Sequence, residues 1–141
     1  MGVMSTYSLE TIHAVPIVFV NYDGYLWSPI DGKPKTRGAI AKSRLQRLEN
    51  LARDGRFSLL IQNYDENWAN LWWIRLTGNA SIVVSDDIQD WETLEQMLLA
   101  KYPQYASTAL LSADRQLLKM GWHEVVAWAA GGLEKLEQQY C

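Results

Sequence analysis

The sequence predicts a mainly β domain: an antiparallel β-barrel of about five strands with two or three inserted helices. Three observations predict it. Segments such as "TIHAVPIVFV", "RFSLLIQNY" and "RQLLKMGWHEVVAWAA" are β-branched, apolar or alternating, as strands are. Turn residues, "NYDG" and "RDGR" among them, separate these runs at short intervals. Two stretches, near 39–52 and 87–101, change to helical spacing. With 141 residues, 48% hydrophobic and 21% charged, the chain has the size and composition of one globular domain with a real core. No repeat, low-complexity tract or linker divides it, so residues 1–141 read as a single domain with a short helical tail from about residue 131.

Taken in order, Thr11 to Val20 is the first strand, and Pro16, which has no amide hydrogen, assigns it to a sheet edge or a bulge. "MGVMSTYSLET" before it carries no clear strand pattern. "NYDG" turns the chain at Gly24, and "YLWSPI" returns as the second arm of a hairpin. "DGKPKTRG" is a loop punctuated by Gly32, Pro34 and Gly38. In the helix that follows, Ala41, Leu45, Leu48 and Ala52 form one apolar stripe, with Ser43 and Arg47 on the opposite side; Thr36 is its candidate cap and Gly55 its stop. Phe57, Leu59 and Ile61 share one face of the next strand. After the tight "DENWAN" connection, a long strand runs to about Ser85. On it Trp72, Ile74 and Leu76 face the core, and Trp73, Arg75 and Thr77 face away. Asp87 or Asp90 caps the second helix, whose Trp91, Leu94, Met97 or Leu98 and Tyr102 pack inward, and a final strand follows from Arg115.

Charge is unevenly spread. Eight of the thirteen Lys and Arg lie between Lys33 and Arg56 with only two acids among them, a local +6 against −9 for the rest of the chain. A net charge of −3 argues against broad nucleic-acid binding, which draws its affinity from many phosphate contacts. The basic loop suits one small phosphorylated ligand better. Composition adds seven Trp and seven Tyr against two Phe, an excess of rings that carry both a flat apolar face and a polar handle. Trp73 with Arg75 on one strand face therefore reads as a surface for a flat, negatively charged ligand.

Other chemistry finds little support. His13 and His123 are the only histidines, and Cys141 is the only cysteine, so neither a disulfide framework nor metal-ligand spacing is present. His13, among apolar neighbours, reads as a hydrogen-bonded structural histidine. Phosphate-binding glycine motifs and nucleophile-elbow motifs are missing, and no proton donor stands out beyond Tyr64. No apolar run has membrane-spanning length, and the first residues lack the layout of a signal peptide; a cytoplasmic location with no membrane partner is the expectation.

In order, "HAVPIVFV", "DGKPKTR", "RLENLARDGRFSLLIQNYDENWANLWWIRLTGNA", "LLAKYPQY" and "VAWAA" resemble the pyridoxamine 5′-phosphate oxidase-like FMN-binding split barrels, in particular the branch of probable deazaflavin-dependent enzymes. "GKPK" and "NYDENWANLWWIRLTG" are the most specific parts, and the likeness spans residues 12 to 130 or so. It implies an antiparallel split β-barrel that forms a homodimer and holds FMN or an 8-hydroxy-5-deazaflavin coenzyme between subunits. By position it assigns the cofactor phosphate to Ser28, Lys33, Lys35, Thr36 and Arg37, and the cofactor ring to Trp73 with Arg75. The physics of the residue types agrees, since Lys and Arg donate charge-assisted hydrogen bonds to phosphate and a helix start offers free amides. Apolar residues stand in "VPIVFV" where true pyridoxamine phosphate oxidases are basic, and their substrate-binding C-terminal segment is missing, so vitamin B6 oxidation is not expected.

The implied function is a flavin- or deazaflavin-dependent oxidoreductase passing hydride to a small molecule. The alternative is a non-catalytic module that binds a flavin or another phosphorylated ligand. A third reading is a structural dimer in which Trp73 makes the subunit contact and the basic run is merely solvated.

Overall fold

The computed structural model describes residues 1–31 and 39–134, with positions 39–45 described by backbone alone. Seven strands and two helices follow in the order β1 (Gly2–Tyr7), β2 (Ile12–Ile17), β3 (Val20–Tyr22), β4 (Tyr25–Pro29), α1 (Ala39–Arg53), β5 (Arg56–Asn63), β6 (Trp72–Val84), α2 (Trp91–Lys101) and β7 (Gln116–Ala129). All strands belong to one antiparallel sheet of order β2-β1-β5-β6-β7-β4-β3. The strand count therefore exceeds the expected five. Residues 2–7, which show no strand pattern in the sequence, form β1 between β2 and β5. Gly2, Met4 and Thr6 are buried in alternation with half-buried Val3 and Ser5. A glycine, a methionine and a threonine make an alternation that hydropathy alone misses. Gly2 is needed there, since a Cβ would lie 2.9 Å from the Leu59 side chain and 3.0 Å from the Leu60 carbonyl oxygen.

β2 and β3 are the two ends of the sheet, yet only Val18 and Phe19 separate them in the chain. That short link requires the sheet to curl until its ends meet, which is a barrel with an unpaired seam. The interior holds Met4, Ile17, Phe19, Leu26, Phe57, Leu59, Leu76, Leu118 and Met120, drawn from both halves of the sheet. Pro16 sits on edge strand β2, where its missing amide hydrogen is tolerated. Tyr102 closes the seam from outside: its hydroxyl accepts from the Phe19 amide at 2.9 Å and donates to the Phe19 carbonyl at 2.7 Å.

α1 caps the barrel with Leu48 and Leu51. Arg47 was expected on its solvent side; it is only 6% exposed, and Asn50 is fully buried. Asn50 explains this face. Its amide donates to Thr6 Oγ1 at 3.1 Å, and its Oδ1 accepts from Gln46 at 2.8 Å and Arg53 at 3.1 Å. A satisfied polar network turns the helix away from the azimuth its apolar stripe alone would choose. Gly55 stops the helix, though not in the left-handed conformation such glycines often adopt: it lies against β6, where a Cβ would be 3.0 Å from the Ala80 carbonyl oxygen.

A second core lies outside the barrel. Val20, Trp27 and Leu117 meet Leu94, Leu98 and Tyr102, as the helical spacing predicts, and Tyr105 and Leu110 of the segment after α2 join them. Asp90 precedes α2 without a side-chain capping bond and instead accepts from the Tyr22 hydroxyl at 3.1 Å. Local capping gives way here to a long-range tie between α2 and the β3–β4 hairpin. His13 is half-buried across from Thr6, and its Nδ1 is buried with no hydrogen-bond partner, so the expected satisfied histidine is not what forms.

Candidate functional site

Strand alternation on β6 sends Ile74, Leu76 and Ala80 into the barrel, and Trp73, Arg75 and Thr77 to the outer face; Trp72, expected in the core with Ile74 and Leu76, is only half-buried at the end of the strand and joins neither core. What stands beside them is set by β7. Its register with β6 slips between Thr77 and Gly78: Gly78 pairs with Trp122, Thr77 pairs with Glu124, and His123 is the extra residue of a bulge. Gly78 permits this close approach, because a Cβ there would fall 1.9 Å from the Gly121 carbonyl oxygen.

The bulge reverses which residues of β7 point outward. Leu118 and Met120 point inward, and unbroken alternation would send Val126 and Trp128 inward with them. After the slip, Val126 stands opposite Arg75 and Trp128 opposite Trp73, both on the outer face. On the other side of β6, Leu60 pairs with Arg75 and Gln62 with Trp73. The result is a continuous patch in two rows: Leu60, Arg75 and Val126, then Gln62, Trp73 and Trp128.

This patch is uncovered by the other described residues. α2 packs over the β3–β4 end of the outer face, and α1 lies against β1 and β6. Trp128 is 46% exposed and Trp73 half-buried. The Arg75 guanidinium carbon lies 5.8 Å from the Trp73 ring centroid, within cation–π range. Arg75 is exposed and forms no ion pair among the described residues, even with Glu124 one row further along. An unpaired cation beside two indoles is an arrangement that favours a flat anionic partner.

The remaining sequence-derived residues fall elsewhere. Ser28 is on β4, 1% exposed, opposite Leu118 and in line with Leu26 and Ile30 toward the interior; β7 separates its strand from β6. Within one chain the structure thus joins Trp73 to Arg75 and places Ser28 apart from both. Lys33, Lys35, Thr36 and Arg37 lie outside the described residues. Just before them, Asp31 is 6% exposed and accepts a hydrogen bond from the Tyr105 hydroxyl at 3.0 Å, which anchors the loop's first residue to the second core. Tyr64 is 74% exposed beyond the end of β5. Sequence reasoning missed Trp128 and Val126. The signal available was Gly78 inside an otherwise well-formed strand, a position that often marks a bulge.

No family model matches the chain, and no curated protein does. Solved structures do. A heme storage protein, HutZ from Vibrio cholerae, is similar with a TM-score of 0.66 at 12% identity, covering 91% of this chain and 84% of its own. An FAD-binding protein from Mesorhizobium loti gives 0.60 at 12% identity over 89% and 81%. A candidate pyridoxamine 5′-phosphate oxidase from Listeria innocua gives 0.57 at 16% identity over 89% and 86%. Identities this low establish architecture and nothing finer. The chain is a mainly β protein whose seven-stranded antiparallel sheet and two helices form the split barrel seen in pyridoxamine phosphate oxidase-like, flavin-binding and heme-storing proteins.

Proposed function

We propose that the chain binds a flavin-type cofactor, FMN or an 8-hydroxy-5-deazaflavin coenzyme, between two copies of itself and serves as an oxidoreductase toward a small-molecule substrate. The observation that carries this reading is the patch of Trp73, Trp128 and Arg75 on the outer face of β6 and β7, uncovered and without an ion pair among the described residues. Its residues fit the ring of such a cofactor: two indoles offer flat apolar surface, and the guanidinium offers charge to an electron-rich edge. The basic residues Lys33, Lys35 and Arg37 and the hydroxyl of Thr36 would hold the phosphate. Ser28, buried at the base of that loop, would support it from below. A second copy would cover the patch and exclude water, which strengthens the pull of Arg75 on negative charge. Hydride chemistry is supplied by the cofactor, and the chain binds and orients it.

A non-catalytic binding module is the second reading. One observation favours it: the described part of the patch has no acid–base pair, and Tyr64 stands apart in solvent. HutZ, a heme storage protein, shares this fold.

The test is direct. The purified protein is examined by absorbance and mass spectrometry for a co-purifying chromophore, then titrated with FMN, riboflavin, a deazaflavin coenzyme and hemin. Tight FMN or deazaflavin binding, weakened in Lys33→Ala/Lys35→Ala and lost in part in Arg75→Ala, supports the proposal. Turnover of reduced cofactor with quinones or enones separates the enzyme from the binding module. Hemin binding with no flavin binding refutes both flavin readings.

A further inference from the structure

A cavity lies on the same outer face as the patch but at the other end of β6. It is a half-open cleft of about 340 Å³ between the β3–β4 hairpin and the start of α2, at the small end of the roughly 300–1,000 Å³ typical of small-molecule sites. Its residues on β6 begin at Ile82, while Arg75 lies about 20 Å away along the strand. The two sites share no residue.

The walls differ in chemistry. Trp27, Val83 and Ile88 make an apolar floor. The Trp27 ring is held in place because its Nε1 donates to the Tyr22 carbonyl at 2.9 Å. Asp23 stands on the hairpin, and Asp87 and Asp90 on the segment leading into α2, so carboxylates face the cleft from two sides. Asp90 accepts from Tyr22, which raises the Tyr22 phenol above its ordinary range, chiefly through that hydrogen bond. Asp23 and Asp87 form no hydrogen bond or ion pair among the described residues.

Local chemistry explains some of these acids. Asp87 and Asp90 precede a helix start, where negative charge is favoured, and Asp23 sits at φ 52°, a conformation Asp tolerates in tight turns. Those roles leave the cavity and its aromatic floor unexplained. An independent feature points to the ligand's sign. The chain already places an ammonium in the lining: Lys119 Nζ lies 5.5 Å from the ring centroid of Trp27 and 4.2 Å from that of Tyr25, which stands beside the cleft. It does so without an ion pair to any of the three carboxylates.

We infer that this cleft binds a small organic cation, an amine with an apolar or aromatic body, independently of the flavin reading. The body lies on Trp27, Val83 and Ile88, and the ammonium reaches the Asp23 and Asp87 side. Lys119 is the competing internal cation, and its charge is what limits affinity.

The experiment follows amide and indole NMR signals of the full chain during titration with phenethylamine, 2-phenylethanol and 3-phenylpropionate. The expected result is a shift of the Trp27 indole signal, with the amine binding at about millimolar strength and the alcohol and carboxylate more weakly. Asp23→Asn/Asp87→Asn should weaken the amine by roughly three- to tenfold, as exposed charge pairs do, while Asn keeps the turn conformation at position 23. Lys119→Met should strengthen it several-fold, an outcome a merely structural lysine would not produce. The inference is overturned if 3-phenylpropionate binds best, if the double variant leaves amine affinity unchanged, or if the amine moves no signal of the cleft well above millimolar concentration.

Discussion

Removing one hydroxyl at the barrel seam should reveal how the two ends of the sheet are joined. Tyr102 is 8% exposed, and its hydroxyl serves both backbone groups of Phe19. In Tyr102→Phe the ring remains and both contacts vanish, but the two orphaned groups fare differently. The Phe19 carbonyl keeps Lys101, whose Nζ donates to it at 2.7 Å, while the Phe19 amide loses its described partner. An unsatisfied buried donor costs about 1–3 kcal/mol, so the loss should be close to 2 kcal/mol rather than twice that. At a urea slope of about 2 kcal/mol per molar, the midpoint falls by roughly 1 M. Lys101→Met alone should cost little, since Tyr102 still serves the carbonyl. In the Tyr102→Phe background it should cost about 1 kcal/mol more, because then the carbonyl is orphaned too. Urea melts at one protein concentration measure all four proteins, and hydrogen exchange of the Phe19 amide supplies the local check. A loss below about 0.5 kcal/mol in Tyr102→Phe, or an additive double variant, would refute the reasoning.

Other expectations concern the bulge, the patch and acid stability. Gly78→Ala forces a Cβ onto the Gly121 carbonyl oxygen and within 2.6 Å of the Trp122 Cα; a loss of about 3 kcal/mol or more is expected, with tryptophan fluorescence altered through Trp122 and Trp128, and a near-neutral melt would contradict it. Trp128→Ala should weaken flavin binding several-fold while sparing thermal stability, since the ring is half exposed; ligand titration and a thermal melt on the same sample distinguish the two. Asp54 accepts three side-chain contacts from Arg56, the shortest 2.6 Å, and these hold its carboxyl down at about 2 from an ordinary 3.8. Because the folded value is the lower one, this contribution is fully present above about pH 4 and fades as pH falls toward 2. NMR titration of the Asp54 carboxyl should give that low midpoint, and Arg56→Ala should return it upward.

The mainly β class, the two helices, the core-facing side of β5 and the inward residues of α2 were legible in the chain, because each follows from a spacing of two or of three to four between apolar residues. Trp73 and Arg75 shared a face for the same reason. Local spacing does not see partners. It missed β1, whose glycine, methionine and threonine alternate in burial but not in hydropathy. It turned α1 the wrong way at Arg47, because the Asn50–Thr6 bond joins residues 44 positions apart. It left Trp128 out of the candidate site, because one extra residue at His123 exchanges inside for outside along the rest of β7. Periodicity along the chain determined which residues could be buried together. Pairing between distant strands decided which of the remaining ones meet, since a hydrogen-bonded register is a property of two segments and is written in neither alone.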